Sequence, residues 1–239
     1  MNMPEQTGAR KKRNLPNFRE LGLVLFIVII MVIVQLLNNN FFTVSNLKDM
    51  INNAAILGIL SVGMLMVMLT GGIDLSIGSN MALTGMIAAQ MISQNPGVHP
   101  ILAVLLGMAV GAVCGLLIGL LVSQLNVIPI IASLGMNYVY RGLTTIISGG
   151  SWVSAHQLPE SFKSMGTGSF LGISYLIWAA LIVFALAAYF LQFPRTGRKI
   201  YAVGSNKEAV SISGINPRST QLLVYSLMGL LAGLGGVLW

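Results

Sequence analysis

Charge is what this sequence has least of. Only 8% of its 239 residues are Asp, Glu, Lys or Arg, and 55% are hydrophobic, where an ordinary soluble domain carries about 25% charged residues. So little polar surface cannot cover a water-facing exterior, which excludes a soluble globular fold. A lipid-facing exterior removes the difficulty, and the mean hydropathy of +0.83 agrees. Cysteine is nearly absent. The single Cys114 lies in an apolar run, so there is no disulfide framework and no metal cluster, and the residue reads as a small buried hydrophobe. Histidine is scarce too. His99 and His156 stand in separate loops, with no HExxH, no Cys–His pair and no paired carboxylates in the apolar runs, which removes the common catalytic constellations. No G-x-x-x-x-G-K-[ST] occurs, so the chain has no P-loop for ATP and would have to borrow a motor.

The formal charge of +7 could suggest a nucleic-acid partner, but its placement argues otherwise. Arg10, Lys11, Lys12, Arg13 and Arg19 precede the first apolar run, and Arg195, Arg198, Lys199, Lys207 and Arg218 share one late loop. Basic patches beside apolar runs are what the positive-inside rule expects of cytoplasmic segments. A nucleic-acid footprint would need a basic face with interleaved aromatics, and none is present.

What the sequence does have is apolar runs, at 21–37, 54–70, 80–92, 101–122, 127–147, 173–192 and 222–239. A helix needs about 20 residues to cross a bilayer, so the third run crosses only by a thinner bilayer or by continuing into the Gly-rich stretch before it. The first run ends in Asn38-Asn39-Asn40-Phe41-Phe42 without a small-x-small cleavage site and reads as an uncleaved anchor. With the N-terminus inside, counting crossings returns the 195–218 loop to the inside. The same count puts 38–53 and 148–172 outside, where Lys48 and Lys163 are the basic residues. The expected organisation is a basic cytoplasmic tail over 1–20 and a single transmembrane domain over 21–239. Its fold class is all-α, a polytopic helix bundle.

Gly107, Gly111, Gly115 and Gly119 recur every four residues, and Gly229 and Gly233 repeat the spacing. These smooth stripes predict close helix packing. The run Thr70-Gly71-Gly72-Ile73-Asp74-Leu75-Ser76-Ile77-Gly78-Ser79 predicts a broken or re-entrant segment near 71–79, tolerated at membrane depth where protein or a water-filled cavity satisfies the backbone. Asp74 is the only acidic residue between Asp49 and Glu160. It either lines a solute path with Ser76 or caps the next helix. Asn137, Tyr138, Tyr140 and Arg141 form a polar aromatic cluster near the outer end of the fifth run. It suits sugar contact, and equally suits interfacial anchoring. Ser205-Asn206-Lys207-Glu208 reads as a capping box with Ser205 at the N-cap, and Gly214 as the C′ residue before Asn216-Pro217. The two-turn helix near 205–214, with Ala209, Val210 and Ile212 as its apolar face, is too short to stand alone and must pack on something.

The stretches 70–79 (TGGIDLSIGS), 132–150 (ASLGMNYVYRGLTTIISGG) and 197–215 (GRKIYAVGSNKEAVSISGI) resemble the permease subunits of bacterial ABC-type monosaccharide importers, the ribose-transport type. The resemblance runs from about Phe41 onward. It implies a bacterial inner-membrane, multi-pass subunit that is not an enzyme and binds no cofactor, with ATP and Mg on a partner ATPase. It implies three partners: a second permease subunit (homo- or heterodimer), a cytoplasmic ABC ATPase dimer, and a periplasmic or lipid-anchored sugar-binding protein. It also implies that Ser205, Asn206, Glu208, Ala209, Gly214 and Ile215 belong to a coupling helix seated in an ATPase cleft. Family members continue with further spans, so the domain is expected to be C-terminally incomplete. Two other readings remain open at this level, a branched-chain amino-acid ABC permease and an ion-coupled secondary transporter. The latter usually has several ionisable residues in its spans.

Overall fold

The structure, a computed structural model, describes residues 18–239, and of Phe18, Arg19 and Glu20 only the helical backbone. The basic tail expected over 1–20 otherwise lies outside the described residues. Two compact units are present, residues 1–50 and 51–239. The first holds α1 (Phe18–Leu37) and the opening turns of α2 (Val44–Leu69). Nearly every described side chain of α1 is exposed, including Leu23, Leu25, Phe26 and Ile27, a surface that only lipid tolerates. The turn after α1 is tied by Gln35, whose amide oxygen accepts the Phe42 N–H at 3.0 Å.

The second unit contains the rest of α2, α3 (Ile77–Gln94), α4 (Pro100–Ser123), α5 (Pro129–Ser148), α6 (Glu160–Thr167), α7 (Tyr175–Gln192), α8 (Arg195–Ser205), α9 (Lys207–Ile212) and α10 (Pro217–Leu238). A small antiparallel hairpin, β1 (Ser169–Phe170) with β2 (Ile173–Ser174), is the only sheet among the described residues. The chain is thus an all-α membrane bundle. Helices α2, α4, α7 and α10 are long and apolar enough to cross a bilayer. Proline opens α4, α5 and α10 at its preferred first position, where the missing N–H costs nothing. Helix α5 stops where Gly149 turns left-handed (φ 59°).

The core forms around α10, which packs along α4 through the predicted glycine stripes. The two helices run antiparallel, since Gly107 meets Gly233 while Gly119 meets Leu222. Contact is backbone on backbone. A Cβ on Gly111 would collide with the Gly229 carbonyl oxygen, one on Gly115 with the Tyr225 carbonyl, and one on Gly229 would sit 2.7 Å from Gly115 Cα. Around this seam Ile59, Val67, Ile118, Val224, Tyr225 and Met228 are fully buried. Helix α3 also lies against α10, where Gly85 and Gly236 allow a second close approach.

The apolar runs correspond to helices, with two differences. Helix α2 begins at Val44, ten residues before the run at 54, because Asn46, Lys48, Asp49, Asn52 and Asn53 hide its first turns from a hydropathy reading. Helix α8 occupies the first part of the basic loop over 195–218, ahead of the expected capping box. The seam makes a measurable prediction. Gly111→Val should lower the melting temperature of the detergent-solubilised chain steeply, because overpacking costs about 1–3 kcal/mol even where neighbours are side chains that yield. Gly78→Ala, where a Cβ meets nothing within 4 Å, should leave it unchanged.

Candidate functional site

Helix α2 ends by winding tightly onto its own carbonyls. Gly71 adopts φ +76°, its N–H donates to Met68 O at 2.9 Å, and the Gly72 N–H donates to Val67 O at 3.0 Å. No helix resumes until Ile77. The expected break is therefore residues 70–76, and Ile77–Ser79 already belong to α3. Asn80, one turn into α3, donates from Nδ2 to Gly111 O at 3.4 Å, so α3 starts level with the middle of α4. The break lies inside the bundle, not at its end.

Backbone at that depth needs partners from side chains. The Tyr225 hydroxyl donates to Ile73 O at 3.4 Å, and Asn137 Nδ2 donates to Leu75 O at 2.8 Å. Gly72 makes room, since a Cβ there would fall 2.6 Å from the Tyr225 hydroxyl oxygen. Asp74, 5% exposed, accepts the Ser76 N–H at 2.8 Å and the Ser76 hydroxyl at 2.7 Å, both on Oδ1. This is an Asx turn leading into α3. Asp74 thus holds the N–H of Ser76, the N-cap residue, and none of the N–H groups of the first helical turn that a cap would take. Its Oδ2 has no hydrogen-bond partner among the described residues. Neither has Asn80 Oδ1, although Asn80 is 2% exposed.

The polar aromatic cluster splits. Asn137 faces the broken segment. Tyr138, 67% exposed, and Arg141 point away from the core on the open face of α5, where Arg141 has no ion pair among the described residues. Tyr140 does not join them: it is 1% exposed and its hydroxyl donates to Cys114 O at 2.7 Å. Successive helical residues are about 100° apart, so residues two apart cannot share a face. Cys114 is buried as expected.

At the far end of α7 the chain folds back into α8, which buries Gly197, Ile200 and Val203. Its amphipathic spacing was present in the sequence, masked by the surrounding basic residues. Helix α8 runs through Ser205, so the cap of α9 moves one residue along. Asn206 Oδ1 accepts the N–H groups of Glu208 and Ala209 at 3.0 Å each. The Ser205–Glu208 capping box does not form. Gly214 does take the left-handed turn (φ +78°), and the Ile215 N–H closes onto Val210 O at 3.2 Å, the hydrogen-bond pattern of a Schellman stop. Of the expected apolar face only Val210 is buried; Ala209 is exposed and Ile212 is 89% exposed. Helix α8 also touches the broken segment's root, because Gly204 rests against Leu69 O so closely that any Cβ would overlap it.

Comparison with known proteins fits this architecture. The family described as "Branched-chain amino acid transport system / permease component" matches residues 46–239. The ribose import permease protein RbsC of Escherichia coli (strain K12) is 39% identical over 214 residues, 89% of this chain and 66% of that protein. RbsC of Bacillus subtilis (strain 168) is 39% identical over 220 residues, covering 92% of this chain and 68% of the relative. The L-arabinose ABC transporter permease protein AraH of Azospirillum brasilense is 31% identical over 217 residues, 91% of this chain and 63% of its own length. The chain therefore spans about two thirds of the length of these relatives. No solved structure matches it significantly. With its glycine-zipped spans, broken intramembrane segment and capped six-residue helix, the chain belongs to the ABC-transporter permease family described by that model, a family of multi-pass membrane proteins.

Proposed function

We propose that the chain is the transmembrane permease subunit of an ATP-binding-cassette importer that moves a simple sugar into the cytoplasm of a bacterium. It sits in the inner membrane with its N-terminus inside, and separate ATPase subunits that hold ATP and Mg drive it. The observation that carries this reading is α9: a helix of six residues, capped at both ends and buried only through Val210, with Ile212 left on its outer side. So short a helix is unstable unless something covers it, and an ATPase cleft fits the exposed side. The relatives named for ribose and arabinose favour a sugar over a branched-chain amino acid. An ion-coupled carrier fits less well, because Asp74 is the only carboxylate in the sequence between Asp49 and Glu160.

The solute path, in this reading, passes the break. A sugar hydroxyl donates to the unshared Asp74 Oδ2, and Asn137 and Ser76 hold the segment in place while it does. Tyr138 and Arg141 line the same path from the open face of α5. An unpaired guanidinium on a spanning helix costs about 2.5–3.5 kcal/mol against lipid. A second permease subunit facing α5 across a wet path removes that cost. A sugar-binding protein on the outer side delivers the solute.

Two outcomes are expected. Asp74→Asn keeps an oxygen for the Ser76 bonds and should leave the melting temperature within a degree or two, yet reduce sugar uptake in cells at least about tenfold, the loss of one charge-assisted hydrogen bond. Full uptake with Asp74→Asn would leave the carboxylate a purely structural role. At α9, removal of a cap weakens the helix by about 0.5–2 kcal/mol. Asn206→Ala and Gly214→Val should accordingly uncouple ATP hydrolysis from uptake while the spans stay inserted. Intact ATPase assembly and uptake in both variants would rule out coupling through this helix.

A further inference from the structure

A cavity of about 490 Å³ opens beside α9, between the α4–α5 turn and the start of α10. Its wall carries two cations, Lys207 and Arg218, and neither has a carboxylate partner among the described residues. Glu208, the neighbour of Lys207, is not part of the wall. Deeper in the same wall are two buried polar side chains. Ser123 is 1% exposed and its hydroxyl has no hydrogen-bond partner. Gln221, 6% exposed, lines the same wall. A buried hydroxyl is normally satisfied, and one that is not, as at Ser123, asks for an explanation. The helix end itself does not supply the site, because the first N–H groups of α10, those of Arg218 and Ser219, already donate to Asn216 Oδ1.

We propose that this cavity binds a phosphate group carried by a small molecule or a lipid headgroup. Lysine and arginine supply the charge, and the Ser123 hydroxyl and Gln221 amide add neutral donors deeper in, so donors converge from α4, α9 and α10. A group with several acceptor oxygens uses such a set fully, whereas a carboxylate has only two oxygens to offer. The volume lies in the ordinary range of small-ligand pockets, about 300–1,000 Å³, and exceeds what a bare anion fills. Val122, Val127 and Ile128 in the same wall cover the remainder of the ligand. Basic pockets between helices at a bundle end suit anionic headgroups as well as soluble phosphate esters. Occupancy fastens α9 to the α4–α5 turn. The inference rests on the cavity alone and stands whether or not the chain imports sugar.

The test uses the full chain reconstituted in phosphatidylcholine nanodiscs, with the melting temperature read at constant ionic strength. Inorganic phosphate replacing chloride, or phosphatidylglycerol replacing a fraction of the phosphatidylcholine, should raise the melting temperature. A response to inorganic phosphate points to a soluble phosphate ester, and one confined to phosphatidylglycerol to a headgroup. Lys207→Gln with Arg218→Gln should abolish the rise, and because both residues are exposed the unliganded melting temperature should not move. Ser123→Ala should weaken phosphate binding by roughly tenfold, one hydrogen bond to a charged group. The proposal is overturned if neither probe shifts the parent chain, or if the double variant responds as the parent does.

Discussion

Two helices can pass at backbone distance only where neither presents a side chain, and that constraint organises this bundle. In lipid there is no hydrophobic force between spans, so close contact and dispersion must hold them. Gly107, Gly111 and Gly115 on α4 and Gly229 and Gly233 on α10 leave no Cβ of their own where the two backbones approach most closely. Because α10 is fixed so closely to α4, its other faces become reference surfaces for α2 and α3. Gly63 of α2 meets Met228, and Gly85 of α3 meets Gly236 O. A slip of α10 by four residues would bring Tyr225 or Val237 to a position that glycine now holds and drive the helices apart.

The same seam sets the position of the break. Tyr225 sits in it, with its carbonyl against Gly115 and its hydroxyl reaching Ile73 O. One residue therefore belongs both to the packing of α10 and to the satisfaction of irregular backbone within the membrane. Asn137 from α5 performs the second half of that task at Leu75 O. Between these two bonds Asp74 is left to organise its own turn with one oxygen and to keep the other unshared. In the proposed path that oxygen is the one left free to meet a solute hydroxyl.

Much of this was legible in the sequence, for reasons that differ by element. Apolar runs and four-residue glycine spacing are properties of single helices, so the spans and the α4 stripe could be read directly. Gly214 could be placed because a left-handed turn demands glycine. Other features depend on what lies across a contact. Ser205 and Asn206 both suit an N-cap, and the choice between them was made by α8, whose Ile200 and Val203 bury against the bundle and carry the helix through Ser205. Tyr140 looked like a neighbour of Tyr138 and Arg141 because they are adjacent in sequence, yet the helical turn sends it to Cys114 O. The partners of the break lie far off in sequence, Asn137 62 residues from Leu75 and Tyr225 152 from Ile73, and no local pattern pairs either with it. Asn80 and Ser123 are silent in the sequence for a related reason: a polar residue in a span becomes informative only when its lack of a partner is seen.

The contact between Gly204 and Leu69 O links the two halves of the proposed mechanism. Leu69 ends α2, one residue before the break, and Gly204 lies one residue before the end of α8, which leads directly into Asn206 and α9. No side chain separates the two backbones, so there is nothing compressible between them. In the proposed importer a displacement of α9 by an ATPase would move α8 as a rigid element. The end of α2 must then follow or the contact must open. The segment best able to absorb that movement is 70–76, which has no helical ladder of its own and is held by bonds from Tyr225 and Asn137. Because α10 is locked to α4, Tyr225 stays still while Leu69 shifts. The strain therefore falls between Gly71 and Asp74, on two glycines and the residue proposed to meet the solute. A bundle in which α8 packed on α2 through large side chains would spread the same displacement over many soft contacts. The bare backbone contact confines it to the break.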